Sequence, residues 1–596
     1  MIEPSLQLGG GNWANKSDSL LGYHKDGANF YADELTFSRN SLGSYTDANG
    51  LVQSMPYNLA TYSEQFDNAA WTKNGTTVVS GFASPNGNNN AFKLVEDSSN
   101  AIHRIYQTST VYASPNASIS VFIKYNGRQY ILIRFADQSV GRWYDLINGT
   151  LGNTYVGTPN DSTITSVGDG WYRITLSNTS NAQARCEFWV SDTQSVSAYQ
   201  GDGTSGVYIY GAQLNQGSTA LPYFATTTRL NLARVDYKDN VNGSLLLEPQ
   251  RTNSFTFSEN INNFSTLGRL NCGYTLGGSF GGFNTSCLIT STSFTGSLIR
   301  GVLGFNSVNL QNNYFTIRVK KKSGWYLNVI GGNGCAGGDL KINLASGGGY
   351  ISSSGTMLTD YKVNEFDDYF QIGFKTTQNA TTAAGLINLI FYDNASFANY
   401  NDAGGTTFNV SGIQWENQQT YGTSYIKSEG AATTRLADSC YKTGISDKIN
   451  SVEGVLYAEM ASLSDISPLT ASELTISDGT LSNNIRLLYS PSTSLNSLFV
   501  RIDVGGVRVA TFNYTGVTIT NLNKFAVKWK VNDFALWVNG TEVLTNLSGT
   551  SFAASTLSKF AFTNAIGGDN LFANIQNLMV FPSALSDTEL ATLTTL

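Results

Sequence analysis

Two histidines, His24 and His103, are the only imidazoles in the 596 residues. That scarcity bears on catalysis, because a Ser-His-Asp or Cys-His site needs a positioned base. His103 lies in Ala101-Ile-His-Arg-Ile-Tyr106, an alternating strand pattern, so a structural or surface role is expected for it. The five cysteines (Cys186, Cys272, Cys287, Cys335, Cys440) are odd in number, irregularly spaced and without a C-x-x-C. Neither a zinc site nor a disulfide framework is suggested. Cys272 and Cys287 could meet across a hairpin, but unbridged thiols, made in a reducing cytoplasm, are the expectation.

The chemistry this chain is rich in is aromatic, amide and guanidinium chemistry. Sugar recognition needs flat apolar faces for the pyranose C–H surface, with hydrogen-bonding groups beside them. Surfaces of Tyr, Ser, Gly and Asn supply such contact at low entropy cost. In residues 57–228 the candidate glycan-binding residues are Tyr125, Arg128, Tyr130, Arg134, Trp143 and Tyr144. Tyr130, Leu132 and Arg134 share one face of a strand, with Arg134 as the polar end of a binding face. Trp143 and Tyr144 straddle a strand, so one of them is expected in the core. In residues 253–437 the candidates are Trp325 and Tyr326, just after Gly324. Trp529 and Trp537 read as core residues of neighbouring strands, and Asp569-Asn570 as an ordinary turn rather than a calcium rim. No catalytic residue, metal ligand or cofactor is assigned.

The elements that must position these side chains are strands. Charged residues are 13%, glycines number 59 and prolines 10, a composition unlike a disordered chain, a coiled coil or a helical bundle. The formal net charge of −7 carries no footprint for nucleic acid. The densest basic run, Arg318 with Lys320, Lys321 and Lys322, reads as a solvated strand end. No apolar run is long enough to span a membrane, and the N-terminus lacks the pattern of a secretory signal. Ser118–Tyr125 and Gln129–Phe135 alternate on either side of Asn126-Gly127, which predicts a hairpin. Ser586-Asp-Thr-Glu589 has capping-box spacing and predicts one short helix.

An internal repeat organises the chain. Tyr62-Ser-Glu-Gln-Phe66 matches Phe257-Ser-Glu-Asn-Ile261, Gly127 matches Gly324, and Trp171-Tyr-Arg-Ile174 matches Tyr369-Phe-Gln-Ile372. Gly211-Ala-Gln213 matches Gly412-Ile-Gln414, and Thr228-Arg-Leu230 matches Thr434-Arg-Leu436. The expected fold class is all-β, with tandem β-sandwich or jelly-roll domains behind a short N-terminal arm. The expected division is an arm over 1–56, a jelly roll over 57–228, a connector over 229–252, a second jelly roll over 253–437 and a distinct unit over 438–596.

Several phrases resemble bacteriophage virion appendage proteins. They are Phe37-Ser-Arg-Asn-Ser-Leu-Gly-Ser-Tyr45-Thr-Asp-Ala-Asn-Gly50, Gly168-Asp-Gly-Trp-Tyr-Arg173, Tyr208-Ile-Tyr-Gly-Ala-Gln-Leu214 and Leu247-Glu-Pro-Gln-Arg-Thr-Asn253. The resemblance covers roughly residues 30–437 and is weaker in the second copy, where Tyr369-Phe370 replaces Trp-Tyr and Trp415 replaces Leu214. It implies carbohydrate-binding-module-like jelly rolls on a tail or head fibre. The last unit resembles the laminin-G and concanavalin-A-like lectin fold through Phe525-Ala-Val-Lys-Trp529, Phe534-Ala-Leu-Trp-Val-Asn-Gly540 and the tail from Leu578 to Glu589. Ala573 stands where that family usually has glycine.

Together these resemblances imply a virion-surface fibre protein, made in the host cytoplasm, that binds bacterial surface glycans without cleaving them. Its arm would contact other virion proteins. A homotrimer is implied, with no heptad repeat to prove it. The alternatives are a structural head-fibre or capsid-decorating protein and a polysaccharide depolymerase. Retaining glucanases of the lectin-like fold carry Glu-x-Asp-x-(x)-Glu. The nearest approach, Glu365-Phe-Asp367-Asp-Tyr369-Phe370, places Tyr369 or Phe370 where the second Glu is needed.

Overall fold

The alternation read from the sequence folds into antiparallel sheets throughout, with 55% of the chain in strands and 2% in helix, an all-β protein. The structure, a computed structural model, describes residues 2–596 apart from 11–13, 17–18, 27–28, 40, 109–115, 136–139, 179–184, 195–197, 228–231, 261–269, 284, 306–311, 333–337, 356–359, 378–384, 465–471 and 490–495. For the rest of 11–34, and for 304–305, the backbone alone is described. Cys335, the side chain of His24 and the repeat element Thr228-Arg-Leu230 lie outside the described residues.

The first jelly roll packs two six-stranded sheets face to face. One runs Thr72–Asn74, Arg104–Thr108, Arg185–Ser191, Tyr130–Phe135, Gly141–Asp145, Thr150–Val156. The other runs Thr76–Phe82, Ala91–Glu96, Gly206–Gln216, Ala117–Asn126, Trp171–Asn178, Asp161–Gly168. Ile119, Val121 and Ile123 of one sheet and Ile131, Ile133 and Phe188 of the other fill a common core.

Residues 253–437 repeat this order. Ile299–Phe305, Gly385–Tyr392, Tyr326–Gly331, Gly338–Asn343 and Gly349–Gly355 form one sheet. Cys272–Leu276, Cys287–Ser291, Thr407–Asn417, Asn312–Lys320, Tyr369–Thr377 and Tyr361–Glu365 follow in the other. Thr72–Asn74 has no counterpart in the second copy, where Arg251–Asn253 and Thr433–Arg435 in turn extend the larger sheet to eight strands.

The repeated motifs are closing clamps. The Asn58 amide donates to the carbonyls of Ala212 and Phe224, both at 3.0 Å. Asn253 donates likewise to Ile413 at 3.1 Å and Ile426 at 2.8 Å. Ser63 meets the Tyr223 hydroxyl at 2.9 Å, and Ser258 meets Tyr425 at 2.6 Å. Gly211 and Gly412 adopt φ of 59° and 57°, and a β-carbon there would lie within 3 Å of Tyr223 or Phe283, so only glycine fits.

The Asn126-Gly127 segment is not a hairpin. Ala117–Asn126 and Tyr130–Phe135 belong to opposite sheets, so the chain arches across the core. Asn312–Lys320 and Tyr326–Gly331 do the same around Gly324. Both flanking runs are apolar toward one core, and that burial is satisfied equally well by strands facing each other. Arg128, just after the turn, holds the arch by a bidentate pair with buried Glu96, its Nε donating to Oε2 at 2.6 Å. Arg318, read as part of a solvated basic end, is instead buried, donating to the Gly412 carbonyl at 2.7 Å beside Tyr425 and Phe283. Cys272 lies opposite Ser291 and Cys287 opposite Leu276, so the two thiols do not face one another across their strand pair.

The N-terminal segment and the connector, read as an arm and a linker, are built into the C-terminal sandwich. Leu6–Gly9 pairs with Asn577–Val580, and Leu245–Leu247 pairs with Ala573–Ile575, along one edge of the strand Ala573–Phe581. Thr36–Ser38 pairs with Ser439–Tyr441 in the opposing sheet. The reason is apolar: Leu6, Leu8, Leu35, Phe37, Leu245 and Leu247 join the core of the last unit, with Leu456, Val527 and Trp529. The two jelly rolls are therefore insertions into one composite base. Its helix, Asp587–Thr594, begins at the expected capping box of Ser586 and Glu589.

Where these pieces meet, five charged side chains are buried together. Arg39 donates to Asp438 at 2.9 Å, and Arg234 pairs with Asp438 and with Glu248, the latter at 2.5 Å. Arg435 reaches Glu248 at 2.8 Å, and Ser424 donates to both oxygens of Glu248. Burial alone would raise the Glu248 carboxyl, but Arg435 and Arg234 outweigh it and hold its pKa down to about 2.

Two expectations follow. Residues 438–596 expressed alone leave the Ala573–Phe581 edge unpaired and should aggregate, whereas the full chain elutes as a defined species on size exclusion. For Glu248 the folded carboxyl titrates below its ordinary value of 4.5, so its contribution is complete above that pH and is lost as pH falls toward 2. The difference is worth about 3 kcal/mol. Asp236 and Glu416, raised by burial, act in the opposite sense. Thermal melts from neutral pH down to acid should show Glu248→Gln less stable than wild type at neutral pH and flatter through the acid range.

Candidate functional site

Alternation in the first jelly roll gives the sheet containing Tyr130–Phe135 two different faces. Ile131, Ile133, Cys186, Phe188 and Ile105 point into the core. Their neighbours point outward, and register places Trp143, Leu132, Trp189 and Arg104 in one row across the strands. The next row holds Gly141, Arg134, Glu187 and Tyr106.

On this face cations and rings alternate. The Arg134 guanidinium lies 5.9 Å from the Tyr155 ring centre and 4.9 Å from that of Trp189. Arg104 lies 5.4 Å from Trp189 and 5.1 Å from Tyr106, and Arg185 sits 3.7 Å from Tyr106. All three arginines converge on Glu187, which is almost fully buried: Arg185 at 2.6 Å, Arg134 at 3.3 Å and Arg104 at 3.4 Å. The Trp189 indole also donates to Glu187, at 2.9 Å. Tyr155, on the edge strand, is 36% exposed and rests on Trp189 at 5.8 Å and edge-on to Trp143 at 6.4 Å. The result is a solvent-facing aromatic ring on a rigid aromatic bed, flanked by guanidinium donors.

The structure brings together three of the residues expected from sequence and separates the rest. Arg134, Trp143 and Tyr130 lie on this face, with Trp143 fully buried as support beneath Tyr155. Tyr144 points into the core, its hydroxyl bonded to the Thr175 carbonyl, and burial raises its pKa. It therefore leaves the candidate set, as does Arg128, which is committed to Glu96 and to Asp202 at 3.2 Å. Tyr125 is exposed but belongs to the other sheet. In the second copy Trp325 packs edge-on against Tyr400 and Phe408, and Tyr326 against Phe397, at the rim of the core. Trp529 is core, and Trp537 packs under the C-terminal helix.

His103 is buried, its ring nitrogens facing the carbonyls of Gly75 at 2.5 Å and Tyr199 at 3.1 Å. Asp569 accepts from Asn564 at 2.9 Å, closing a turn. Among the described residues no group of three His, Cys, Asp or Glu side chains could hold a metal ion. No helix among them is long and apolar enough to cross a membrane.

Sequence reasoning missed Tyr155, Trp189, Arg104, Arg185 and Glu187. A signal existed: Arg185-Cys-Glu-Phe-Trp189 and Arg104-Ile-Tyr106 place every charged or outward aromatic residue on one parity of the strand.

The second copy provides an internal comparison. Gln129 and Trp325 accept from Leu146 and Leu344 in the same way, which aligns the two sheets. At the positions of Arg134, Glu187, Arg185 and Trp189 the second copy has Ile330, Asn388, Leu386 and Ile390. Arg104 alone keeps its type, as Arg300.

No family model matches the chain, and no curated protein matches it. Among solved structures it is similar to the CBM40 module of a Ruminococcus gnavus sialidase bound to α2,3-sialyllactose, with 17% identity over 26% of this chain and 86% of that one, TM-score 0.22. A tandem CBM22 pair from Paenibacillus barcinonensis shares 9% identity over 63% of this chain and 98% of that one, TM-score 0.22. Mouse laminin α1 domains LG4-5 share 12% over 54% and 96%, TM-score 0.17. Overlaps this low fix neither family nor ligand.

Glu187 is the one carboxylate that the three arginines share. Glu187→Gln should destabilise the first jelly roll by about 3 kcal/mol or more, as removal of one partner from a buried ion pair does. Urea unfolding followed by tryptophan fluorescence, with Trp189 and Trp143 beside the change, reads it.

Proposed function

We propose that this chain is a non-catalytic adhesin that holds glycans against the outer face of the first jelly roll. Tyr155 offers a flat ring to the C–H face of a sugar, and the arginines beside it offer hydrogen bonds to ring substituents. The observation that carries this reading is the divergence of the two copies. The second closes the same sandwich with Ile330, Asn388, Leu386 and Ile390, so the fold itself does not require Arg134, Arg185, Glu187 and Trp189 of the first, while Arg104 recurs as Arg300. A charged cluster withdrawn from water costs desolvation free energy, and its presence in one copy only fits a ligand.

The resemblance to phage appendages supports placing the protein on a virion surface. In that setting the composite base would face the particle and the two jelly rolls would project outward. The buried ionic joint favours a second reading, in which the chain is chiefly a structural fibre or capsid-decorating component. Imaging labelled particles separates the two.

The adhesion reading is tested with the full chain on host cells and an array of bacterial polysaccharides. Tyr155→Ala should weaken binding up to about tenfold, the scale of one aromatic contact, with an unchanged melting profile. Absence of binding by the wild-type chain to every polysaccharide and to host cells would overturn it.

A further inference from the structure

We infer that the sugar recognised on this face is acidic, carrying a carboxylate or sulfate on the ring that docks beside Tyr155. The inference rests on the adhesion reading and concerns the class of glycan. Three guanidinium groups meet one carboxylate, Glu187, in this cluster, so positive charge is in local excess there. The other carboxylate that register places on this face, Asp145, lies opposite Tyr130 and accepts from Gln129 and Asn148. The Nε–H groups of Arg104 and Arg185 are shielded from water and have no hydrogen-bond partner among the described residues. Both side chains are otherwise about one-quarter open to solvent, at 22% and 24%, so the cluster is reachable from outside.

Planar guanidinium groups present paired donors that match an oxyanion bidentately. Stacking against Tyr106 and Trp189 holds them in place before a ligand arrives, which lowers the ordering cost of binding. An incoming oxyanion would complete what Glu187 leaves uncompensated, while Tyr155 packs on the ring that carries it. The chain as a whole is acidic, with net charge −7, so general attraction of polyanions is disfavoured and the effect must be local.

The test measures binding of the full chain to four probes: a neutral polysaccharide, a uronate-bearing one, a sulfated one and polyglutamate. The expected result is tighter binding to the uronate or sulfated polymer, weakening as ionic strength rises from about 0.05 to about 0.5 M. The two polymers tell which oxyanion is preferred. Arg185→Gln and, independently, Arg104→Gln should reduce binding to the acidic polymer about tenfold or more and reduce binding to the neutral polymer by a smaller factor, the loss of a neutral hydrogen bond. Tyr155→Ala should reduce both. Melting curves confirm that each variant folds, and Arg185→Lys, which keeps charge without the planar fork, should restore binding only in part.

Equal affinity for neutral and acidic polymers, with no response to salt or to either arginine change, overturns the acidic specificity and leaves adhesion standing. Equal binding of polyglutamate also overturns it, since a sugar ring would then be irrelevant. Failure to bind any polysaccharide defeats the adhesion reading itself.

Discussion

Arg39, Arg234, Arg435, Glu248 and Asp438 sit together out of water at the point where the N-terminal segment, the connector, the second jelly roll and the C-terminal sandwich converge. Each carboxylate is shared by two arginines from different segments, and the surplus positive charge faces the carbonyls of Ser41, Ser44 and Pro249. Such a network gives little net stability over an apolar joint, but it tolerates no missing partner. Sharing each carboxylate between arginines of different segments ties the four segments at one joint, with Arg39 Nη2, Arg234 Nε and Arg435 Nε left without a hydrogen-bond partner among the described residues. The phrases that resemble phage appendages, around Arg39 and from Leu247 to Asn253, supply much of this joint, so they report architecture before they report ligand.

From that joint the two jelly rolls extend as insertions, each closed by the same clamp. Asn58 and Asn253, and Ser63 and Ser258, tie the entering segment to the loop that leaves the domain, and Gln213 and Gln414 tie the last long strand to the same loop. With closure assigned to the clamp, the outer face of each sheet is free to diverge. One copy has filled it with an arginine cluster and aromatic residues around Glu187, the other with aliphatics and amides beside Arg300 and the Lys341–Asp339 pair. Duplication followed by divergence of a face the core does not depend on is a simple physical route to a binding surface.

Much of this was legible from residues alone. Strand-period alternation, the internal repeat and the Ser586 capping box are local signals, and each local signal appears in the structure. Alternation could not tell a hairpin from an arch at Asn126-Gly127, because both bury Ile123 and Ile131 equally well. Of the candidate residues, Arg134 was visible as the polar end of a strand face. Its partners Trp189, Arg185 and Arg104 were not, because they come from strands 30 to 55 residues away in either direction. The N-terminal segment looked like a free arm because its apolar residues are few, and only the matching edge of Ala573–Phe581 gives them a place to be buried.

The low charge and abundant glycine, serine, threonine and asparagine excluded a disordered chain, a coiled coil and a helical bundle, and period-2 alternation then determined the all-β class, because short alternating runs joined by tight neutral turns bury a core as sheets. The scarcity of histidine set the expectation of binding rather than hydrolysis. Tertiary structure decided which strands became neighbours, and therefore which arginines share Glu187 and which aromatic ring is left in solvent above them. Register across a sheet is set by long-range burial and charge pairing, quantities that belong to pairs of segments rather than to any one stretch of sequence.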